Sequence, residues 1–324
     1  MPKVIARFRF ELLSQIRMLG AVSPDFATMN IDEDLVRVLP PAILDDEQYQ
    51  PKWSVTQKEA TGSQNGELKW NADIAIIEVE GEVKSTIIEK SEEERLLHSA
   101  TEGLKKLLEV YRWHSRQSQI IVAGENLYRD YNVSYFDSEG NEAETRGGYS
   151  MMGTLSMTVF GGEESSSKIW PEVQRDITSG VRPELWQNLI MDAYQAVSTD
   201  SSSAVVKAGA ACESFIERLC GNLSHKQQPF QDVYVVLTSS GRSFPEYFHV
   251  VLLYLLGRSL KNENGDLYTK IENLHKTVNS VRHEGLCQYK DTRGKPVIVN
   301  SQAARQMIES VEDAIEWAKS LISC

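Results

Sequence analysis

The sequence predicts an α+β protein in two parts. A mainly antiparallel β domain with a packed helix spans 1–165, and an all-α helical bundle spans 166–324. Three observations carry this. Apolar and polar residues alternate in several stretches of the first half, the period-two signature of half-buried strands. Beyond residue 168 the apolar spacing changes to three and four, the signature of helices with one buried face. Between them lies GGEESSSK at 161–168, whose small and charged residues suit a linker.

Residues 4–12 open the chain as a strand, with Val4, Ala6, Phe8 and Phe10 on one face. A proline-punctuated section follows, at Pro24, Pro40, Pro41 and Pro51. Residues 67–89 alternate through Leu68, Trp70, Ala72, Ile74 and Ile76, and again through Val79 and Val83. That pattern predicts two strands, either a hairpin around residues 80–82 or a bulged pair. Residues 91–113 form a helix opened by a Ser91/Glu94 capping box, with Leu97, Ala100, Leu104, Leu107, Leu108 and Tyr111 along one side. Further strands are predicted at 119–123, 131–136 and 150–160, with DSEG at 137–140 as a hairpin turn.

The second half reads as five helices. Residues 183–197 begin with Pro183, suited to a first turn, and carry Leu185, Leu189, Ala193 and Ala196 at helical spacing; a second helix turns Val205, Ala208, Ala211 or Cys212, Phe215 and Leu219 inward. Residues 244–260 are strongly apolar and therefore central. Residues 301–322 close the chain with Ala304, Met307 or Ile308, Val311, Ile315, Ala318 and Ile322 inward, after an extended piece at 296–299. The fourth helix, GDLYTKIENLHKTVNSVRHEG, places Leu267, Ile271, Leu274, Val278 and Val281 on one face. Asp266 is placed to cap its start and Gly285 to end it. Asn279, Arg282, His283 and Glu284 form a polar group just inside that end.

Bulk composition narrows the function classes. With 324 residues and a net charge of −12, broad electrostatic binding of nucleic acid is disfavoured, because such binding is driven by neutralising phosphates. A small basic pocket for RNA stays open. No run of about twenty apolar residues predicts a membrane span, and the N-terminal residues alternate instead of forming a secretory leader; both point to the cytoplasm. Cys212, Cys220, Cys287 and Cys324 show no paired or zinc-ligand spacing, so no metal is expected. No phosphate-binding loop, nucleophile elbow or HExxH helix occurs, so no cofactor is expected.

The tail NSVRHEG on a helix opening with DLY resembles the signature helix of the HEPN superfamily, compact helical bundles found in many prokaryotic RNases, toxins and defence proteins. Residues 189–219 resemble that family's opening helix pair, including Glu213 in an alanine-rich helix. The resemblance covers roughly the last 140 residues. It implies a homodimer with two signature helices facing a shared groove, and a defence, toxin or stress setting. In an RNase of this family His283 would act as acid or base and an arginine would offset charge on the phosphate. Active members carry that arginine four to six residues before the histidine, where this chain has Asn279, Val278 and Thr277. Arg282 is adjacent to the histidine instead. Two functions follow: a dimerising interaction or sensing module with a degenerate nuclease motif, or a metal-independent endoribonuclease using His283 with Arg282.

The site candidates are thus His283, Arg282, Asn279 and Glu213. Each also has a structural reading. Asn279 and His283 could tie down the helix end, and Glu213, which could reach across the bundle to Arg282 or His283, could equally be a solvated position paired with Lys207 or with Glu217–Arg218. In the first half, Arg112, Trp113, His114 and Arg116 form a basic–aromatic group that could stack a base or hold a phosphate, or simply answer a helix dipole. A protein partner or ligand of that half is expected without a motif to identify it.

Overall fold

A computed structural model describes residues 3–45, 50–52, 62–64, 67–84, 88–120, 122, 127–137, 139–149, 165–166, 169–226 and 241–322. The chain is α+β and divides into two compact units, Met1–Pro183 and Glu184–Cys324. The boundary falls some distance after the expected linker, for a physical reason. Helix α2 (Trp170–Thr178) buries Trp170, Val173 and Ile177 in the first unit's core. Ser165–Ser166 also pairs in parallel with Met18 and Leu19.

The first unit is built on strand β1 (Lys3–Leu19), which lies between β7 (Glu67–Glu82) and β8 (Tyr128–Phe136), both antiparallel to it. Beyond β7 come β3 (Asp34–Val38) and β2 (Ala27–Ile31), and β9 (Glu142–Tyr149) follows β8; among shorter strands, β4 (Ile43–Asp45) pairs with β5 (Gln50–Lys52), β6 (Gly62–Gln64) with β7 and β10 (Ser165–Ser166) with β1. Val4, Ala6, Phe8, Phe10 and Leu12 are buried on one face of β1, as their alternation requires. The β1–β7 register then slips: Glu11 faces Ile74, but Ile16 faces Ala72. This irregularity shifts the phase of β7. Trp70 and Ala72 join the main core, as do Ala75, Ile77 and Val79, whereas Ile74 and Ile76 pack with Ala42 in a separate cluster. The expectation of one face running through Trp70, Ala72, Ile74 and Ile76 is corrected accordingly. No hairpin forms at residues 80–82, where β7 continues to Glu82.

Helix α1 (Lys90–Ser115) lies on this sheet through Leu96, Ala100, Leu104, Leu107, Leu108 and Tyr111, all buried. Gly103 allows close approach: a Cβ there would stand 2.9 Å from Val36 Cγ1 and 3.2 Å from Ile77 Cγ2. The helix starts at Glu89, whose capping box with Glu92 replaces the expected Ser91/Glu94 pair. The strand expected at 119–123 is not formed at its start, because Ile120 N–H donates to the Gln117 carbonyl in a turn. The β8–β9 hairpin is formed, with Gly140 at φ 84°. The strand expected at 150–160 lies outside the described residues.

Among the described residues the second unit is helical apart from one small hairpin. Its helices are α3 (Leu185–Ala196), α4 (Ser201–Lys226), α5 (residues 244–256), α6 (Leu260–Glu263), α7 (Gly265–Glu284) and α8 (Ser301–Ser320). Pro183 precedes the first of these, which is opened by a Glu184/Gln187 capping box and buries Trp186, Ile190, Met191 and Ala193; the expected face through Leu185 and Leu189 is rotated, leaving Leu185 exposed, because the larger Trp186 takes the core position in the first turn. Helix α5 is not a uniform α-helix: its middle, Tyr247–Val251, is a π-helical turn, and Gly257 ends it at φ 69°. Val205, Ala208, Ala211, Cys212, Phe215 and Leu219 of α4 are buried, as are Ala304, Met307, Ile308, Val311, Ile315 and Ala318 of α8; Ile322, expected inward, is exposed because the helix ends at Ser320 and the periodicity stops with it. Tyr194 on α3 donates its hydroxyl to Glu312 Oε2 of α8 at 2.7 Å. Strands β11 (Gln288–Lys290) and β12 (Pro296–Ile298) pair in the α7–α8 connection.

Candidate functional site: the polar stripe of α7

Helix α7 buries Leu267, Ile271, Leu274 and Val278, as its period demands, while Val281 is half-buried. Asn264, not Asp266, caps it, accepting from Leu267 N–H at 3.1 Å. Gly285 ends it at φ 70°, the left-handed stop that the sequence suggests. The alanine-rich α4 approaches closely at Gly209, where a Cβ would stand 2.6 Å from Val278 Cγ2.

Beside this apolar face runs a polar stripe: Tyr268, Glu272, His275, Asn279 and Arg282, at spacings of four, three, four and three. Its centre is His275. The ring Nε2 bonds Asn279 Nδ2 at 3.2 Å, and Phe244 of α5 lies edge-on with ring centroids 5.2 Å apart. Burial holds its pKa below the usual imidazole range. Glu213 of α4, Glu246 of α5 and Glu272 pull it the other way, and Arg282 reinforces the burial. The ring is therefore neutral near pH 7 and offers one donor and one acceptor among charged neighbours. Glu246 is itself held low, chiefly by the Ser243 N–H it caps at 2.8 Å, and stays ionised.

At the other end of the stripe, burial raises the Tyr268 hydroxyl to about 12, with Glu272 and Glu246 adding to it. Its ring meets His249, which sits in the π-turn and bonds Ser259 Oγ at 2.8 Å through Nδ1. Such turns displace a side chain from regular helical placement and recur at functional sites.

The four sequence candidates are thus placed differently. Asn279 contacts His275 and not His283. Glu213 is half-buried near His275; its expected partner Arg218 pairs instead with Glu184 at 3.2 Å. Arg282 is exposed and within electrostatic reach of His275. His283 is also exposed, about 100° further around the helix, and makes no hydrogen bond or ion pair among the described residues. The residue missed by sequence reading is His275. Its spacing to Asn279 and Arg282 was the available signal.

The basic–aromatic group of the first unit is structural in its contacts. Arg112 is 1% exposed and donates to the Ser118 carbonyl, and Arg116 caps the helix with its guanidinium 4.1 Å from the Trp113 ring. His114 is held by two carboxylates of α2. Among the described residues no helix is long and apolar enough to cross a membrane, and no group of three or more His, Cys, Asp or Glu could hold a metal ion.

The molecule is therefore an α+β sheet unit followed by a helical unit with a half-buried imidazole on a polar stripe of α7. No family model, curated protein or solved structure matches the chain.

Proposed function

We propose that the second unit is a HEPN-like bundle acting as a dimerising interaction and sensing module in a prokaryotic defence, toxin or stress system. Its nuclease motif is degenerate, and the first unit binds a ligand or protein partner. One observation carries the degenerate reading. The three positions where active members of that superfamily place an arginine are all committed elsewhere. Thr277 is buried and bonds the Asn273 carbonyl at 2.8 Å; Val278 is 2% exposed against Gly209; Asn279 is taken up by His275. A guanidinium at 277 or 278 would be buried without a partner, which costs several kcal/mol. Exposed Leu253, Tyr254 and Leu286 offer apolar area for a second copy.

A second reading, a metal-independent endoribonuclease, draws on His283 and Arg282 being exposed together at one helix end. One experiment separates the two. RNA is incubated in EDTA with the wild type and with His283→Ala, and the mass of each is measured by sedimentation. A dimer without cleavage supports the module. Cleavage lost in His283→Ala establishes the nuclease, and a monomer removes the dimerising role.

A further inference from the structure

The connection between α7 and α8 is a braced hairpin. Asp291 Oδ1 accepts from the N–H groups of Arg293 (2.9 Å) and Lys295 (2.8 Å), and Gly294 turns the chain at φ 75°. At its base Val299 N–H donates to the Cys287 carbonyl at 2.8 Å, and the next residue, Asn300, caps α8 by accepting from Ala303 N–H at 2.9 Å. Tyr289 stands opposite Val297 in the ladder, so their side chains share one face, while Ile298 on the other face is 78% exposed. Tyr289 and Val297, together with α7 and α8, line a cleft of about 470 Å³, a size within the range of small-molecule sites.

The apolar lining is completed by Ala303 and Met307, one turn apart on α8. The polar lining is unspent. Lys270 and Asn273 of α7, and Gln306 and Asp313 of α8, make no side-chain hydrogen bond or ion pair among the described residues. Glu309, by contrast, is engaged by Arg305 Nε at 3.2 Å. These charges decide what fits. A simple anion drawn to Lys270 would meet the carboxylates of Asp313 and Glu309, and a simple cation would meet Lys270. A molecule bearing both charges on an apolar body answers both groups at once.

We propose that this cleft binds a small zwitterion with an apolar side chain, an α-amino acid or a short unblocked peptide. Lys270 takes its carboxylate, Asp313 its ammonium, and Tyr289, Val297 and Met307 its apolar part. Asn273 and Gln306 each add an amide that both donates and accepts. Lys270 and Asn273 lie about 140–160° around α7 from His275, so the cleft is separate from the polar stripe. The proposal therefore does not rest on the HEPN-like reading of the second unit.

Isothermal titration calorimetry of the full chain with leucine, phenylalanine and leucyl-leucine tests it. The amide of each probe lacks the carboxylate, and the N-acetyl derivative lacks the ammonium. At least one zwitterion should bind, and removing either of its charges should weaken binding about fivefold or more. Lys270→Met should no longer distinguish acid from amide, and Asp313→Asn should no longer distinguish free from acetylated amine. Both positions are exposed, so each variant should keep the wild-type melting temperature, measured alongside. Ala303→Phe, which sets a ring into the cleft, should abolish binding while leaving both charges in place. Tighter binding of leucyl-leucine than of leucine supports the site with a peptide as its ligand, and the reverse supports it with a free amino acid. No heat from any zwitterion at about 10 mM overturns the proposal. So does discrimination that survives in the charge variants, or binding undiminished in Ala303→Phe.

Discussion

Gly209 and Val278 touch across the α4–α7 interface: a Cβ on the glycine would lie 2.6 Å from Val278 Cγ2. Helix propensity favours alanine over glycine by about 1 kcal/mol, but contact at that distance forces a backbone shift. Gly209→Ala is therefore expected to destabilise the second unit by about 1–3 kcal/mol. Urea denaturation followed by helical circular dichroism measures it, and an unchanged or raised midpoint would show that the helices do not meet there.

Val278→Arg restores the arginine typical of active HEPN nucleases at a position that is 2% exposed. Its expected effect is loss of more than about 3 kcal/mol with no gain of RNA cleavage, because the new charge is buried. A stable variant that cleaves RNA would mean that the bundle tolerates a guanidinium on this face.

His275 gives the second unit a pH dependence of definite sign. Burial lowers its folded pKa, so as pH falls the unfolded chain takes up the proton first, near the ordinary imidazole value of about 6.5. Its contribution is complete above that value and declines as pH falls toward the lower folded pKa. His275→Gln should flatten the acid side of the stability curve between pH about 7 and about 5. Parallel curves for variant and wild type would exclude the imidazole as the source.

Lys106 acts in the alkaline range. Burial brings its ammonium down to about 8, while an unfolded lysine keeps its proton to about 10.4. Between these values the unfolded chain binds more protons, so the first unit should gain stability as pH rises, by on the order of 1–2 kcal/mol. Thermal scans at pH about 8 and about 10 test this against Lys106→Met, in which the gain should vanish.

Thiol chemistry offers a simple check of core placement. Cys212 and Cys220 are fully buried, burial raises both thiols, and Cys220 reaches about 12. Neither should react with Ellman's reagent until the protein is denatured. Rapid labelling of either in native buffer would place α4 outside the core.

Much of this architecture was legible because burial imprints a period. The faces of β1, α1, α4 and α8 follow directly from alternation or three-and-four spacing. The phase change in β7 was not legible, because it comes from the slip in pairing between Glu11 and Ile16 of β1, residues distant in sequence. Helix caps were misplaced by two residues at Glu89 and Asn264, since the cap is set by backbone conformation and several neighbours carry suitable oxygens. Residues 170–178 fall within the range 166–324 expected for the bundle, because an amphipathic stretch does not reveal which core it joins. At the site, His275 is hard to pick out from the sequence, since its side chain acquires its surroundings from Phe244, Glu213 and Glu246 on other helices.

The place of β1 has a consequence for how the polypeptide acquires its shape. Its ladder partners lie at residues 67–82, 128–136 and 165–166, so Lys3 waits for Glu82 and Leu19 for Ser166. During synthesis this apolar strand emerges long before any complement exists, and loop closure over such separations is slow. The nascent first unit should therefore depend on chaperone shielding, whereas the helices that follow can assemble from near neighbours soon after they are made.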